Sequence, residues 1–151
     1  MSAVAHDLRV SLPSFDITLD GTALKAEFDL KSLQVDGPMQ HGELHAEQYD
    51  AGKRADVAKA MHGEILHTDL HPQARFIGAA VPVGDDYRVD GKLELAGKTQ
   101  PFAFDVRNDG GTFRAEFDLK PSRWGIAQYK ALFGAIKLQD LIKVSVALTE
   151  A

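Results

Sequence analysis

Residues 89–106 read VDGKLELAGKTQPFAFDV, and their period decides the fold. Val89, Gly91, Leu93 and Leu95 fall on one face of an extended chain. Arg88, Asp90, Lys92 and Glu94 fall on the other. Past Ala96-Gly97-Lys98 the alternation resumes, so the stretch reads as a β-hairpin. Phe102 and Phe104 take the inside, because the alternative would bury the charge of Asp105. Phe113, Ala115, Phe117 and Leu119 repeat the pattern, as do Ile142, Val144, Val146 and Leu148. Alternation repeated in this way predicts half-buried antiparallel strands. A series of them makes a sheet that must close, or pack on another, to hide its apolar face.

Upstream the signals are shorter. Residues 8–19 read as one strand interrupted at Pro13, or as two short ones. Asp20-Gly21 is a turn signal. Residues 24–35 predict a strand with Leu24, Ala26, Phe28 and Leu30 inward, ended by Asp36-Gly37-Pro38. Residues 39–52 are polar and carry His41 and His45, which predicts a long surface loop. Val57, Met61 and Ile65 stand at helical spacing, so a short helix is expected over about residues 53–66, weakened by Gly63. Strands over 76–83 and 113–119 and a closing strand over 137–148 complete the count. The expectation from the pattern is an all-β chain of about eight antiparallel strands with one short helical insertion, as a single domain over residues 1–151. AEFDLK occurs at 26–31 and again at 115–120. One six-residue echo does not make a repeat protein.

The bulk composition narrows the function classes. The chain has 151 residues and no cysteine, so thiol chemistry is excluded. Its formal net charge is −5 with both signs interspersed, which argues against nucleic acid as a main partner. No apolar run reaches the length of a membrane-spanning helix. MSAVAHDLRV at the start has neither the basic nor the apolar region of a secretory signal. The expected location is cytoplasmic, or periplasmic or secreted if the native N-terminus was trimmed.

Four segments resemble the YceI-like family of lipocalin-like, polyisoprenoid-binding barrels. They are LKSL at 30–33, LHPQARF at 70–76, YRVDGKLELAGKTQPFAFDV at 87–106, and SRWGIAQYKALFGAIKLQDLIKVSV at 122–146. Gly91, Leu93, Leu95, Gly97, Thr99 and Pro101 match the family's hairpin pattern in full. The resemblance implies an eight-stranded barrel whose lumen holds a long apolar chain, such as a polyisoprenoid quinone or another lipid. It implies binding, carriage or sequestration, with no catalysis and no cofactor. Two departures are visible. Family members usually carry an additional strand ahead of this region, and many carry a signal peptide.

A container of this kind needs an elongated apolar wall with few polar groups. The inward residues expected to line it are Phe28, Leu30, Phe76, Leu93, Leu95, Phe102, Phe104, Phe113, Phe117, Val144 and Val146. From the residues alone, the same set could equally fill a small barrel's core. After Pro121, an irregular segment carries Arg123, Trp124, Tyr129 and Lys130. Trp124 and Tyr129 suit the boundary between water and an apolar lumen, and Arg123 and Lys130 suit a polar headgroup. The plainer alternative has Trp124 plugging one end with Arg123 stacked on it.

His41 and His45, and likewise His67 and His71, are spaced four apart, with His62 nearby. A metal-binding or metal-dependent protein is therefore the alternative reading, and it requires several of the five to converge. HGELH at 41–45 is not the zinc-protease H-E-x-x-H, because its Glu is misplaced. A third reading is an interaction domain with a filled barrel, dimerising along its N-terminal strand. The partners expected are a hydrophobic small molecule, transient membrane contact and a homodimer.

Overall fold

The computed structural model describes residues 7–126, 130–131, 136–137 and 141–149. Four N-terminal strands run β1 (Asp7–Ser11), β2 (Phe15–Asp20), β3 (Ala23–Asp29) and β4 (Gln34–Gln40). A two-residue β5 (Glu43–Leu44) precedes helix α1 (Ala51–Ala60). Three long strands follow: β6 (Gln73–Val83), β7 (Asp86–Leu95) and β8 (Lys98–Asp109). Next come β9 (Thr112–Leu119), the short β10 (Lys130–Ala131) and β11 (Ile136–Lys137), and β12 (Ile142–Thr149).

The principal sheet is antiparallel and curled, with strand order β12-β9-β8-β7-β6-β3-β2. A second sheet has the order β1-β4-β5. This is the all-β class that the period predicts, in the lipocalin-like form that the family resemblance implies. The strands divide differently from an eight-stranded count. Seven lie in the curled sheet, and among the described residues no pairing joins its edges, β2 and β12.

β6 and β7 approach most tightly against added side chains where Gly78 faces Gly91. A Cβ on Gly91 would lie 2.4 Å from the Ile77 carbonyl oxygen and 2.7 Å from Phe76 Cζ. The missing side chains let the two strands approach closely while the Phe76 ring covers the space.

Several expectations change. The strand expected over 24–35 breaks after Asp29 into a turn of 3₁₀ helix over Leu30–Ser32. The Asp29 carboxylate accepts from the Lys31 amide at 3.0 Å, and the Ser32 hydroxyl donates to the Asp29 carbonyl at 2.6 Å. A local side-chain cap of this kind competes with the ladder. Asp36-Gly37-Pro38 does not end a strand but lies inside β4. Val10 pairs with Val35 and Arg9 with Gly37, so Asp36 is bulged out.

Residues 39–52 are therefore not one long loop. They hold the end of β4, then β5, then a 3₁₀ turn over Ala46–Gln48. The final strand begins at Ile142 rather than at 137, and residues 138–140 lie outside those described.

The helix forms slightly ahead of its expected position. Asp50 caps it, its carboxylate accepting from the Lys53 amide at 2.7 Å. The last turn widens into a π-turn over Met61–Ile65, where Leu66 donates back to the Met61 carbonyl at 2.8 Å. Gly63 sits in that widened turn, and a glycine weakens the regular helix there. Val57 is fully buried and packs with Val35, Tyr49 and Ala60 in a small core between α1 and β4. A separate core of Ala26, Phe76, Ala80 and Val89 lies on the concave face of the curled sheet.

Candidate functional site

The concave face is built by period-two alternation. On β8, Phe102, Phe104 and Val106 are half-buried, while Pro101, Ala103 and Asp105 are exposed. On β9, Ala115 and Leu119 are buried and Phe117 half-buried, against exposed Arg114, Glu116 and Asp118. On β12, Val144 and Val146 are half-buried between exposed Lys143, Ser145 and Ala147. The two AEFDLK segments share one pattern, Ala and Leu buried with Phe half-buried, and each leads into a 3₁₀ turn.

The aromatic side chains join into a wall. Phe104 stands 5.6 Å from Phe76, 6.0 Å from Phe102 and 5.0 Å from Phe117, centroid to centroid. Phe102 adds contacts with Phe117 at 5.1 Å and Trp124 at 6.0 Å. Phe76 is buried to 4% exposure, whereas Phe28, Leu93, Leu95, Phe102, Phe104, Phe113 and Phe117 keep partial exposure. Edge and tilted ring contacts of this kind hold each other's orientation. Phe113 joins through Tyr87 at 5.9 Å, and Phe28 through Phe15 at 6.1 Å. Leu30 is buried in the 3₁₀ turn at the end of β3.

Trp124 closes one end of this wall. Its side chain is 2% exposed, and its indole Nε1 donates to the Leu93 carbonyl at 2.8 Å. Arg123 lies over the indole, with its guanidinium carbon 5.1 Å from the ring centroid. It also donates through Nη2 to the Pro101 carbonyl at 2.6 Å, and Gln100 Nε2 donates to the Arg123 carbonyl at 2.9 Å. The Pro121–Trp124 turn is thereby strapped onto β7 and β8. Arg123 works here as a clamp on Trp124. Tyr129 lies outside the described residues, as does the side chain of Lys130.

The histidines do not converge. Among the described residues, no group of three His, Asp or Glu side chains could hold an ion. His62 instead bridges to Thr68 Oγ1 at 3.1 Å and to the Leu33 carbonyl at 3.2 Å, tying the π-turn to the start of β4. His45 pairs with Glu47 at 3.2 Å. His71 packs against the β7–β8 turn, where a Cβ on Gly97 would lie 2.7 Å from its Cε1. His41 and His67 take positive φ in turns. The metal reading required several of these five side chains to meet, and their placements keep them apart.

Sequence reasoning missed the partner of the indole. The Leu93 carbonyl is a backbone atom far away in the chain, and no side-chain pattern announces it. It also missed a recess against the ends of β6 to β9. The recess, of about 520 Å³, is lined by Val83, Asp86, Tyr87, Asp105, Val106, Arg107, Arg114 and Glu116. Arg88 bridges to Asp105 at 3.0 Å beside it, and that hydrogen bond raises the guanidinium's pKa further.

The same architecture recurs among solved structures. A Campylobacter jejuni YceI protein matches with a TM-score of 0.63 at 12% identity, covering 94% of this chain and 83% of that one. A mutant CJ YceI protein with a monobromobimane guest matches with a TM-score of 0.65, also at 12% identity, with coverage of 94% and 83%. Burkholderia cenocepacia BcnA matches with a TM-score of 0.59 at 18% identity, covering 92% and 82%. Comparison of the sequence with curated proteins gives no match. The YceI-like domain profile aligns with residues 3–149. Those residues include the Gly91–Pro101 hairpin, the His71 that packs on it and the Trp124 that closes its end, and so the chain belongs to the YceI-like family.

Proposed function

We propose that this protein binds a long-chain isoprenoid, quinone or other lipid along the concave aromatic face, and carries or sequesters it without catalysis. The observation that supports this reading is the state of that face. Phe102, Phe104 and Phe117 touch one another yet stay partly exposed. In a filled core they would be buried. Apolar area left open on a curved wall is available to a ligand at about 25 cal/mol per Å² covered. The wall offers rings and aliphatic groups but few polar atoms, which suits a flexible hydrocarbon chain.

The chain's one tryptophan sits at the end of the wall and serves as a reporter. Delipidated protein titrated with prenyl alcohols of increasing length should show a saturable change in Trp124 emission. Each further methylene covered should tighten binding by about 0.8 kcal/mol, roughly four-fold in Kd. Affinity independent of chain length would refute the reading.

A further inference from the structure

We infer that an apolar chain enters and leaves sideways, through a slot between β8 and β9. This inference rests on the lipid-binding reading above. Antiparallel neighbours normally pair along their shared length. β8 and β9 do not. Their ladder holds only Arg107 with Arg114, Asn108 with Phe113, and Asp109 with Thr112. Below Arg107 the inner edge of β8 pairs with β7 alone, and β9 below Arg114 pairs with β12 alone. Continuing the register sets Asp105 opposite Glu116 and Phe104 opposite Phe117, with no ladder between them. Among the described residues, no other strand occupies the gap.

The recess lies beside this separation, reaching Val83 and Asp86 at the β6–β7 end. Its lining combines the inward residues Tyr87 and Val106 with the outward residues Asp105, Arg107, Arg114 and Glu116. Two features mark the separation. On the outer rim Asp105 is held by Arg88 of β7 at 3.0 Å, on the side away from β9. On the inner side the Phe104 and Phe117 rings meet at 5.0 Å, with Phe102 at 5.1 Å from Phe117. Rotation of these phenyl rings opens the slot without breaking a backbone hydrogen bond. A hydrocarbon chain then passes between apolar rings while its polar end stays at the charged rim.

The chain has no cysteine, so two introduced thiols form a clean cross-link. The D105C/E116C variant closes the slot when oxidised, or when bridged by a short bismaleimide if the thiols lie too far apart for a disulfide. The E94C/T99C variant cross-links positions already paired in the β7–β8 ladder. The probe is a pyrene-labelled long-chain alcohol exchanging between protein and neutral vesicles. Closing the slot should slow exchange by about ten-fold or more, while the E94C/T99C cross-link leaves it unchanged. Equal exchange rates in the open and closed forms would overturn the slot. Failure of the uncross-linked protein to take up the probe would instead overturn the lipid-binding reading itself, and the slot with it.

Discussion

Gly78 and Gly91 face each other across the β6–β7 ladder so closely that neither position accepts a side chain. A Cβ on Gly78 would stand 2.3 Å from the Asp90 carbonyl oxygen, and one on Gly91 would stand 2.4 Å from that of Ile77. Both obstacles are backbone, so neither yields by a rotamer change. Gly91→Ala should cost about 2 kcal/mol or more, because the strands must move apart and displace Phe76. Denaturant unfolding measures this directly. Gly84 lies in the β6–β7 turn, where an added Cβ would meet nothing within 4 Å, so only its positive φ of 63° opposes a side chain. Gly84→Ala should cost about 1 kcal/mol.

Trp124 is held by one hydrogen bond and by its packing against Phe102. Trp124→Phe keeps most of the packing and removes the hydrogen bond to the Leu93 carbonyl, at a cost of about 1 kcal/mol. Trp124→Ala also leaves a hole at the end of the wall and should cost about 3–5 kcal/mol. Thermal unfolding of the two variants separates the bond from the packing.

Phe104 occupies the centre of the aromatic wall, touching Phe76, Phe102 and Phe117. Phe104→Glu places a carboxylate against any bound hydrocarbon. It should weaken binding of a prenyl alcohol by more than ten-fold, while far-ultraviolet circular dichroism stays that of a β-protein. Phe104→Leu should retain most of the affinity. Titration of both variants through Trp124 emission checks the pair.

The small core under α1 behaves separately from the wall. Asp50→Ala removes the helix cap and should cost about 1 kcal/mol, with lipid affinity unchanged. Tyr49 in that core has its pKa raised above the ordinary value by burial. A group whose folded pKa is raised contributes stability that is whole below the unfolded pKa and is lost as pH rises through the folded one. The melting temperature should therefore fall in alkaline solution as Tyr49 ionises. Tyr49→Phe should flatten that part of the profile.

The strands legible in the sequence were those with one wet face and one dry face. β7, β8, β9 and β12 alternate, and their inward residues were readable one by one except Ile142, which is exposed at the start of β12. Where a short side chain competes with the ladder, the pattern failed. Asp29 and Ser32 turn the chain where the alternation alone runs on. Asp36 bulges out of β4, and Pro38 sits inside that strand opposite Leu8, its carbonyl accepting from the His45 amide at 2.9 Å. The aromatic residues of the wall could be named in advance, but their openness could not. Exposure depends on how far the sheet curls, which alternation along single strands does not record. The unpaired length of β8 and β9 was equally hidden, because alternation records faces and not partners.

The most direct test of lipid binding is what the protein holds when purified. Protein prepared without detergent or denaturant would be extracted with organic solvent and the extract analysed by mass spectrometry. A long-chain isoprenoid, quinone or other lipid at a stoichiometry near one per chain is the expected result. An empty extract, together with failure of the delipidated protein to take up a prenyl alcohol, would contradict the account.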